Sequence, residues 1–382
     1  MLLTAHLKLL PDEEQRPLLL AYMERSNQAC NKVSEIAFHD QNWNRVKLQR
    51  RCYYGVRGEF GLSAQTTILA IRKVADSYRT DVENIRIRNR SRPKGEPKEE
   101  LKRHKFKTHG AVSYDARCLS WKDRDKVSIL TLEGRIVVPI VLSEKYADLD
   151  LTTVRGEVDL LYRKGEFYLA VSYEVPELAE YRSIDFIGVD MGRKNIASTS
   201  DGQLFCGDDC EATRNRYVGL RGKYQSVGTK SAHKHLSKID RKESDFKKNE
   251  NHRISKELVS QAKGTGRGIA LEELTYIPRL RAVNKAQRDG SSKWAFRQLR
   301  SFIEYKAKLF GVPLILVNPA YTSQKCSICG FVDENNRTSQ SSFVCLRCGH
   351  SEHADLNASK NIRDMARAAV NQPMVVRHAV MA

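Results

Sequence analysis

Two cysteine pairs, Cys326-x2-Cys329 and Cys345-x2-Cys348, constrain this chain more than any other feature; fifteen residues separate them. A Cys-x2-Cys knuckle brings two thiolates to one ion, and two knuckles complete a tetrahedral four-thiolate site of the zinc-ribbon kind. Gly330 and Gly349 follow the pairs and relax the turn after each. Four thiolates close the coordination sphere, so one zinc held here is structural and catalysis must come from elsewhere. The other five cysteines, Cys30, Cys52, Cys118, Cys206 and Cys210, show no such pattern, and Cys206-x3-Cys210 reads as an ordinary pair. Nine cysteines in 382 residues are too sparse for a disulfide scaffold and fit a reducing compartment.

The 65 Lys and Arg outnumber the 46 Asp and Glu, leaving a net charge of +19. Charged residues make up 29%, an ordinary share, so the surplus is one of sign and points to a polyanionic partner. The longest apolar runs, Ile136–Leu142 and Val312–Val317, are short and interrupted by proline, which argues against a membrane span. Met1–Leu10 has no basic stretch, long apolar run or cleavage site, so a cytoplasmic location is expected.

Periodicity divides the chain into three regions. Residues 2–10 alternate as one strand, and Pro11 with Asp12-Glu13-Glu14 opens a helical region that runs to about residue 88. Arg86–Arg103, with Pro, Gly and many charges, reads as a basic linker. Residues 104–175 alternate with period two and predict an antiparallel barrel-like unit with which the first strand pairs. Beyond Pro176 the expected elements are strands 184–190, 195–200 and 203–206, with a turn at Asp201-Gly202. A long charged helical stretch to about Lys263, strand 268–274, helix 291–310 and strand 312–318 follow, predicting a mixed α/β sheet. The last fifteen or so residues read as a frayed tail.

Three carboxylates lie at the ends of these elements. Asp190 closes Phe186-Ile187-Gly188-Val189-Asp190, Glu272 sits in Ile269-Ala270-Leu271-Glu272, and Asp355 opens Asp355-Leu356-Asn357-Ala358-Ser359-Lys360-Asn361-Ile362. An acid embedded in an apolar strand is costly unless paired or metal-bound. Carboxylates converging on one pocket suit hard divalent cations, and two such ions can activate water and stabilise the leaving oxygen of a phosphodiester. Singly, each has a structural reading as well: Asp190 as a turn cap, Asp355 as a helix N-cap, Glu272 facing a lysine.

The order of these segments is informative. Gly188-Val189-Asp190-Met191-Gly192, Ile269-Ala270-Leu271-Glu272-Glu273-Leu274, Asn318-Pro319-Ala320-Tyr321-Thr322-Ser323-Gln324 running into the ribbon, and Asp355 to Ile362 resemble the RuvC-type nuclease half of TnpB proteins. TnpB proteins are encoded by bacterial insertion sequences and are relatives of the compact type V CRISPR effectors. Glu59-Phe60-Gly61-Leu62-Ser63-Ala64-Gln65 extends the resemblance into the N-terminal half, so it covers nearly the whole chain. Two positions depart from the pattern: His353 stands where many relatives carry an acid, and Glu273 where Asp or Asn is common.

The resemblance implies a multidomain α+β protein: a β-barrel wedge domain (1–10 and 104–180), a helical recognition lobe with basic linker (11–103), an RNase H-like RuvC domain of mixed α/β fold (181–325 and 349–369), an inserted zinc ribbon (326–348) and a flexible tail (370–382). It implies an RNA-guided DNA endonuclease of a transposable element. A guide RNA derived from the element end would direct it to target double-stranded DNA beside a short motif, as a monomer or a dimer on the RNA, at the bacterial nucleoid. Asp190, Glu272 and Asp355 would cut DNA with two Mg²⁺, and the ribbon would help load the strand.

The basic stretch from Lys223 to Lys263, including Lys230, Lys234 and Lys238, fits a helix facing a nucleic-acid backbone, and a solvated helix face is the alternative. Gln65 and Arg72 suit adenine and guanine edges, although an ordinary surface role fits these two better. Three rival functions remain. A nuclease-inactive RNA-guided DNA-binding repressor would be marked by loss of one acid, and all three are present. A DNA transposase usually shows the order Asp-Asp-Glu, not the Asp-Glu-Asp seen here. A zinc-ribbon binding protein without activity leaves the acid at Glu272 unexplained.

Overall fold

Leu2–Leu9 (β1) buries Ala5, Leu7 and Leu9 and leaves His6 exposed and Lys8 half-buried between them, the alternation of a strand with one face on a core. In the computed structural model, which describes residues 1–93, 95–147, 149–192, 194–273 and 291–371, β1 pairs with the period-two strands as expected and lies mid-sheet. It runs antiparallel to Glu166–Glu174 (β7) on one side and Gly134–Val141 (β5) on the other. With Val112–Tyr114 (β2), Leu119–Asp123 (β3), Lys126–Thr131 (β4) and Val158–Arg163 (β6), the sheet has the order β2-β6-β7-β1-β5-β4-β3.

Its two edge strands, β2 and β3, are consecutive in sequence, joined only by residues 115–118. Seven strands laid flat span about 29 Å, whereas that link reaches at most about 17 Å, so the sheet must curl. The Tyr114 hydroxyl crosses the curl to donate to the Leu130 carbonyl at 3.1 Å. The β6–β7 turn places both Lys164 (φ 52°) and Gly165 (φ 83°) in the left-handed region, the type I′ geometry that matches strand twist.

Between β1 and β2 the chain forms three helices, Gln15–His39 (α1), Arg45–Phe60 (α2) and Ala64–Arg90 (α3). Leu19, Tyr22, Met23 and Leu69 join the core of the curled sheet, while Val33, Ala37, Val56, Val74 and Tyr78 form a second core among the helices. The Gly61-Leu62-Ser63 motif is a stop followed by a start. Gly61 ends α2 at φ 59°, and the Ser63 hydroxyl caps α3 by accepting from Thr66 N–H. Arg86–Arg90, expected to be linker, instead complete α3, because arginine and asparagine continue a helix without apolar periodicity and Arg88 is clamped by Glu99 through two 2.8 Å bonds.

These elements form one unit, Met1–Val175, and the rest of the chain from Pro176 forms another. The second is built on a five-stranded mixed sheet: Phe186–Asp190 (β8), Asn195–Thr199 (β9), Leu204–Cys206 (β10), Gly268–Glu272 (β11) and Leu314–Val317 (β12), in the order β10-β9-β8-β11-β12. Strands β8, β11 and β12 are parallel, and β9 and β10 are antiparallel. The expected single charged helical stretch is two helices, Asp208–Val227 (α4) and Lys230–Gly264 (α5), broken at left-handed Gly228 and the cap Thr229. Ser291–Phe310 (α6) packs with α5 on one face of the sheet, over Ile187, Val189, Ile269 and Leu271. Ala354–Asn371 (α7) covers the other face, over Phe186, Ala270 and Val317. Two further short strands, Ser342–Val344 (β13) and Ser351–His353 (β14), belong to the ribbon. The expected strand residue Leu274 and the expected tail beyond Asn371 lie outside the described residues. Among the described residues no helix is long and apolar enough to cross a membrane.

Candidate functional site

Strand parity brings the acids together. In β8 the even-numbered Phe186 and Gly188 face α7, and so does Ala270 of β11, so Asp190 and Glu272, which share this parity, lie on the α7 side. The parallel register pairs Leu271 with Val189 and so sets Glu272 beside Asp190, at the carboxyl ends of the strands where α/β sheets take ligands. Asp355 occupies the first turn of α7, where the helix dipole favours a carboxylate. Close docking of α7 brings it near: a Cβ on Gly188 would collide with the Ser359 carbonyl and the Arg363 backbone.

The electrostatics follow from this geometry. Burial, then the charges of Glu272 and Asp355, push the Asp190 carboxyl up to about 7, partly opposed by Arg337. Burial also raises Glu272, against a 2.5 Å hydrogen bond donated by the Thr322 hydroxyl. Asp355, only 6% exposed, accepts from Asn195 Nδ2 at 2.9 Å and from Arg337 Nη2 at 3.2 Å. The site thus offers hard oxygen donors only, the kind a divalent cation takes.

Asn195, Thr322 and Arg337 were not singled out from sequence. Asn195 reads as a strand start and Arg337 as a ribbon-loop cation. Thr322 does fall within Asn318–Gln324, the segment that runs into the ribbon. Asn357 and Asn361, four residues apart on α7, both donate to the Lys325 carbonyl, at 2.8 and 2.7 Å. Asn357 Oδ1 also accepts from Ser327 N–H at 2.9 Å, so the ribbon's first knuckle is tied to the helix bearing Asp355.

In the ribbon the four Sγ atoms lie within 4.8 Å of one another. Cys326 and Cys348 are 3.7 Å apart and Cys329 and Cys345 are 3.5 Å apart. A tetrahedron with 2.3 Å Zn–S bonds has edges of about 3.8 Å, so the donor set fits zinc. The knuckles repeat each other. Cys326 N–H donates to Phe331 C=O and Gly330 N–H to Cys326 C=O; Cys345 N–H donates to His350 C=O and Gly349 N–H to Cys345 C=O. Gly330 (φ 73°) and Gly349 (φ 75°) supply the expected relaxed turns. By contrast Cys30, Cys52 and Cys118 are buried, which pushes each thiol up to about 11 and leaves them as packing groups.

The basic candidates divide. Lys230, Lys234 and Lys238 are exposed along one face of α5. Gln65 and Arg72 are engaged within their own unit: Gln65 donates to Asp115 and accepts from Arg117 at 2.9 Å, and Arg72 pairs with Glu157.

The family described as Cas12f1-like, TNB domain, matches residues 296–362, which take in most of α6, β12, the ribbon and the start of α7. The CRISPR-associated endodeoxyribonuclease Cas12f1 of Sulfoacidibacillus thermotolerans is 29% identical over 263 residues, covering 62% of this chain and 58% of that protein. The TnpB-like protein MJ0751 of Methanocaldococcus jannaschii is 38% identical over 115 residues, 29% of this chain and 40% of its own length. The chain thus matches less than two thirds of the length of these relatives. Among solved structures, CasPhi-2 (Cas12j) bound to crRNA and phosphorothioate-DNA shares the fold with a TM-score of 0.54 at 11% identity, over 96% of this chain and 91% of that one. Together with the ordered acidic segments and the four-cysteine ribbon, these matches make the chain similar to TnpB-like proteins and to compact type V effectors.

Proposed function

We propose that this chain is an RNA-guided DNA endonuclease whose cutting centre is Asp190, Glu272 and Asp355. The observation that carries this reading is geometric: Asp190 and Glu272 sit on adjacent parallel strands at their carboxyl ends, on the face where α7 docks with Asp355 in its first turn. Such a cluster is unfavourable by itself and is relieved by a bound dication. On this reading the three carboxylates hold Mg²⁺, which would supply an activated water and charge stabilisation at the leaving oxygen of a phosphodiester. Thr322 fixes the Glu272 carboxylate, Asn195 and Arg337 fix that of Asp355, and the ribbon, held by structural zinc, keeps Arg337 in place.

The domain assignment follows the same reading: a wedge barrel of 1–10 and 104–180, a recognition lobe of 11–103, and a RuvC nuclease of 181–325 and 349–369 with the ribbon at 326–348. The names of the relatives, an endodeoxyribonuclease among them, support the activity, and the +19 surplus supports a guide RNA and a DNA target as partners.

The test is to express the protein with its flanking DNA and sequence the bound nucleic acid. A discrete RNA ending in a variable segment, whose rewriting redirects DNA cleavage, is expected. Asp190→Ala, Glu272→Ala and Asp355→Ala should each abolish cleavage in Mg²⁺ while retaining the RNA. Full cleavage by any one of them would remove that residue from the centre, and cleavage indifferent to the RNA segment would favour an unguided nuclease or a transposase.

A further inference from the structure

The segment between α3 and β2 is pinned to the helices as a strap. Residues 101–107 read Leu-Lys-Arg-His-Lys-Phe-Lys and belong to no strand. The Ser34 hydroxyl nevertheless donates to the His104 carbonyl at 2.8 Å, and His104 N–H donates to the buried Tyr78 hydroxyl at 3.1 Å. Asn31 takes both backbone groups of Phe106, accepting its N–H at 2.7 Å and donating to its carbonyl at 2.9 Å. Asn27 donates to the Gly110 carbonyl at 2.9 Å. Asn27, Asn31 and Ser34 recur at four- and three-residue spacing, one face of α1 given over to gripping a backbone.

His104 and Phe106 turn inward, His104 against the Tyr78 ring at 4.5 Å and Phe106 against the helical core. The residues that alternate with them, Arg103, Lys105 and Lys107, are exposed and form no ion pair among the described residues. In extended chain, side chains on one side recur about every 6.5–7 Å, close to the separation of successive phosphates along a nucleic-acid strand. An open groove of about 470 Å³ runs alongside, lined in part by Gln28, Phe60 and Phe106, and its acid, Glu35, faces Lys32 at 3.8 Å.

We propose that this strap is a preformed ladder for the backbone of single-stranded RNA. Arg103, Lys105 and Lys107 neutralise successive phosphates, and an unstacked base enters the groove against Phe60 and Phe106. The α1 clasp has already met the cost of ordering the strap backbone, so the charges are presented without a further entropic loss. Single-stranded RNA fits better than a duplex because its bases are available to stack on aromatic side chains. The inference rests on the proposed RNA-binding function and adds the place and manner of one contact.

The test uses the full chain with a fluorescent single-stranded RNA and, in parallel, a DNA duplex of equal length, titrated across a salt series. The triple variant Arg103→Gln, Lys105→Gln, Lys107→Gln should lose about tenfold or more in RNA affinity, with the log–log salt slope falling by about 2, three phosphates at 0.7 each. A charge-matched control on the β3–β4 turn, Lys122→Gln, Arg124→Gln, Lys126→Gln, should change affinity less than twofold. Asn31→Ala, which keeps every charge and loosens the strap, should weaken binding and leave the slope unchanged. Failure of the unaltered chain to bind RNA would overturn the RNA-binding reading itself. RNA binding with an unchanged slope in the strap variant, equal losses in both triple variants, or an equal loss on duplex DNA would overturn the ladder alone.

Discussion

Replacing Asp190 with Asn should stabilise the metal-free protein, most strongly above neutral pH. The carboxyl rises from 3.8 in the unfolded chain to about 7 in the fold. Because the folded state holds the proton more tightly, stability falls as pH rises from about 4 to about 7 and then levels off. Three units at 1.36 kcal/mol each set an upper bound of about 4 kcal/mol, and solvent at the open strand ends screens this to about 2–4 kcal/mol. Asparagine keeps the shape and cannot ionise, so the variant escapes the penalty. The assay is thermal unfolding in chelator at pH 5 and pH 8, following the unit that contains β8. At pH 8 the variant should melt about 6–12 °C higher than the parent, and at pH 5 by only a small part of that. In Mg²⁺ at pH 8 the order should reverse, as the parent gains a cation that the variant holds poorly. A variant no more stable than the parent at pH 8 in chelator, or an advantage equal at both pH values, would refute the reasoning that the three acids repel one another.

Elemental analysis should find about one zinc per chain, lost in the Cys345→Ser variant while the helices of the N-terminal unit stay folded by hydrogen exchange; zinc content unchanged by mutating all four cysteines would refute the ribbon assignment. Gly188→Ala should cost about 3 kcal/mol or more, because the added methyl forces α7 off the sheet at Ser359 and Arg363, and should abolish cleavage by displacing Asp355. An alanine variant with parental stability and activity would show that close docking of α7 is not what positions the third acid.

Much of the site was legible because it rests on short local rules. The cysteine spacing needs one ion to make sense, and the acids stand out because an apolar strand ending in Asp or Glu is costly. The curled sheet was legible from period-two runs. What the sequence leaves unmarked depends on contacts between distant segments. Asn195 holds Asp355 across 160 positions, and nothing in its own neighbourhood marks it for that role. Arg337 lies in a loop whose composition is that of any surface. The Asn357/Asn361 pair carried a readable signal, two amides on one helical face, but its target is a carbonyl, which every residue has. Arg86–Arg90 were misplaced for another reason: charge hides helical periodicity, and the Glu99 clamp that secures them becomes visible only in three dimensions.

The central position of β1 has a consequence for how the chain comes off the ribosome. Leu9 pairs with Phe167 and with Ile140, roughly 130 to 160 residues later. At about 5–20 residues per second, β1 waits roughly 7 to 26 seconds with both edges open, while α1, α2 and α3, whose contacts are local, can already have formed. Within its sheet the earliest strand is thus among the last to be paired. During that interval its apolar face of Ala5, Leu7 and Leu9 is available to other nascent chains or to chaperones. Overproduced protein that aggregates should do so through this segment, and slowing synthesis before residue 140 should worsen the yield, whereas slowing it after residue 174 should not.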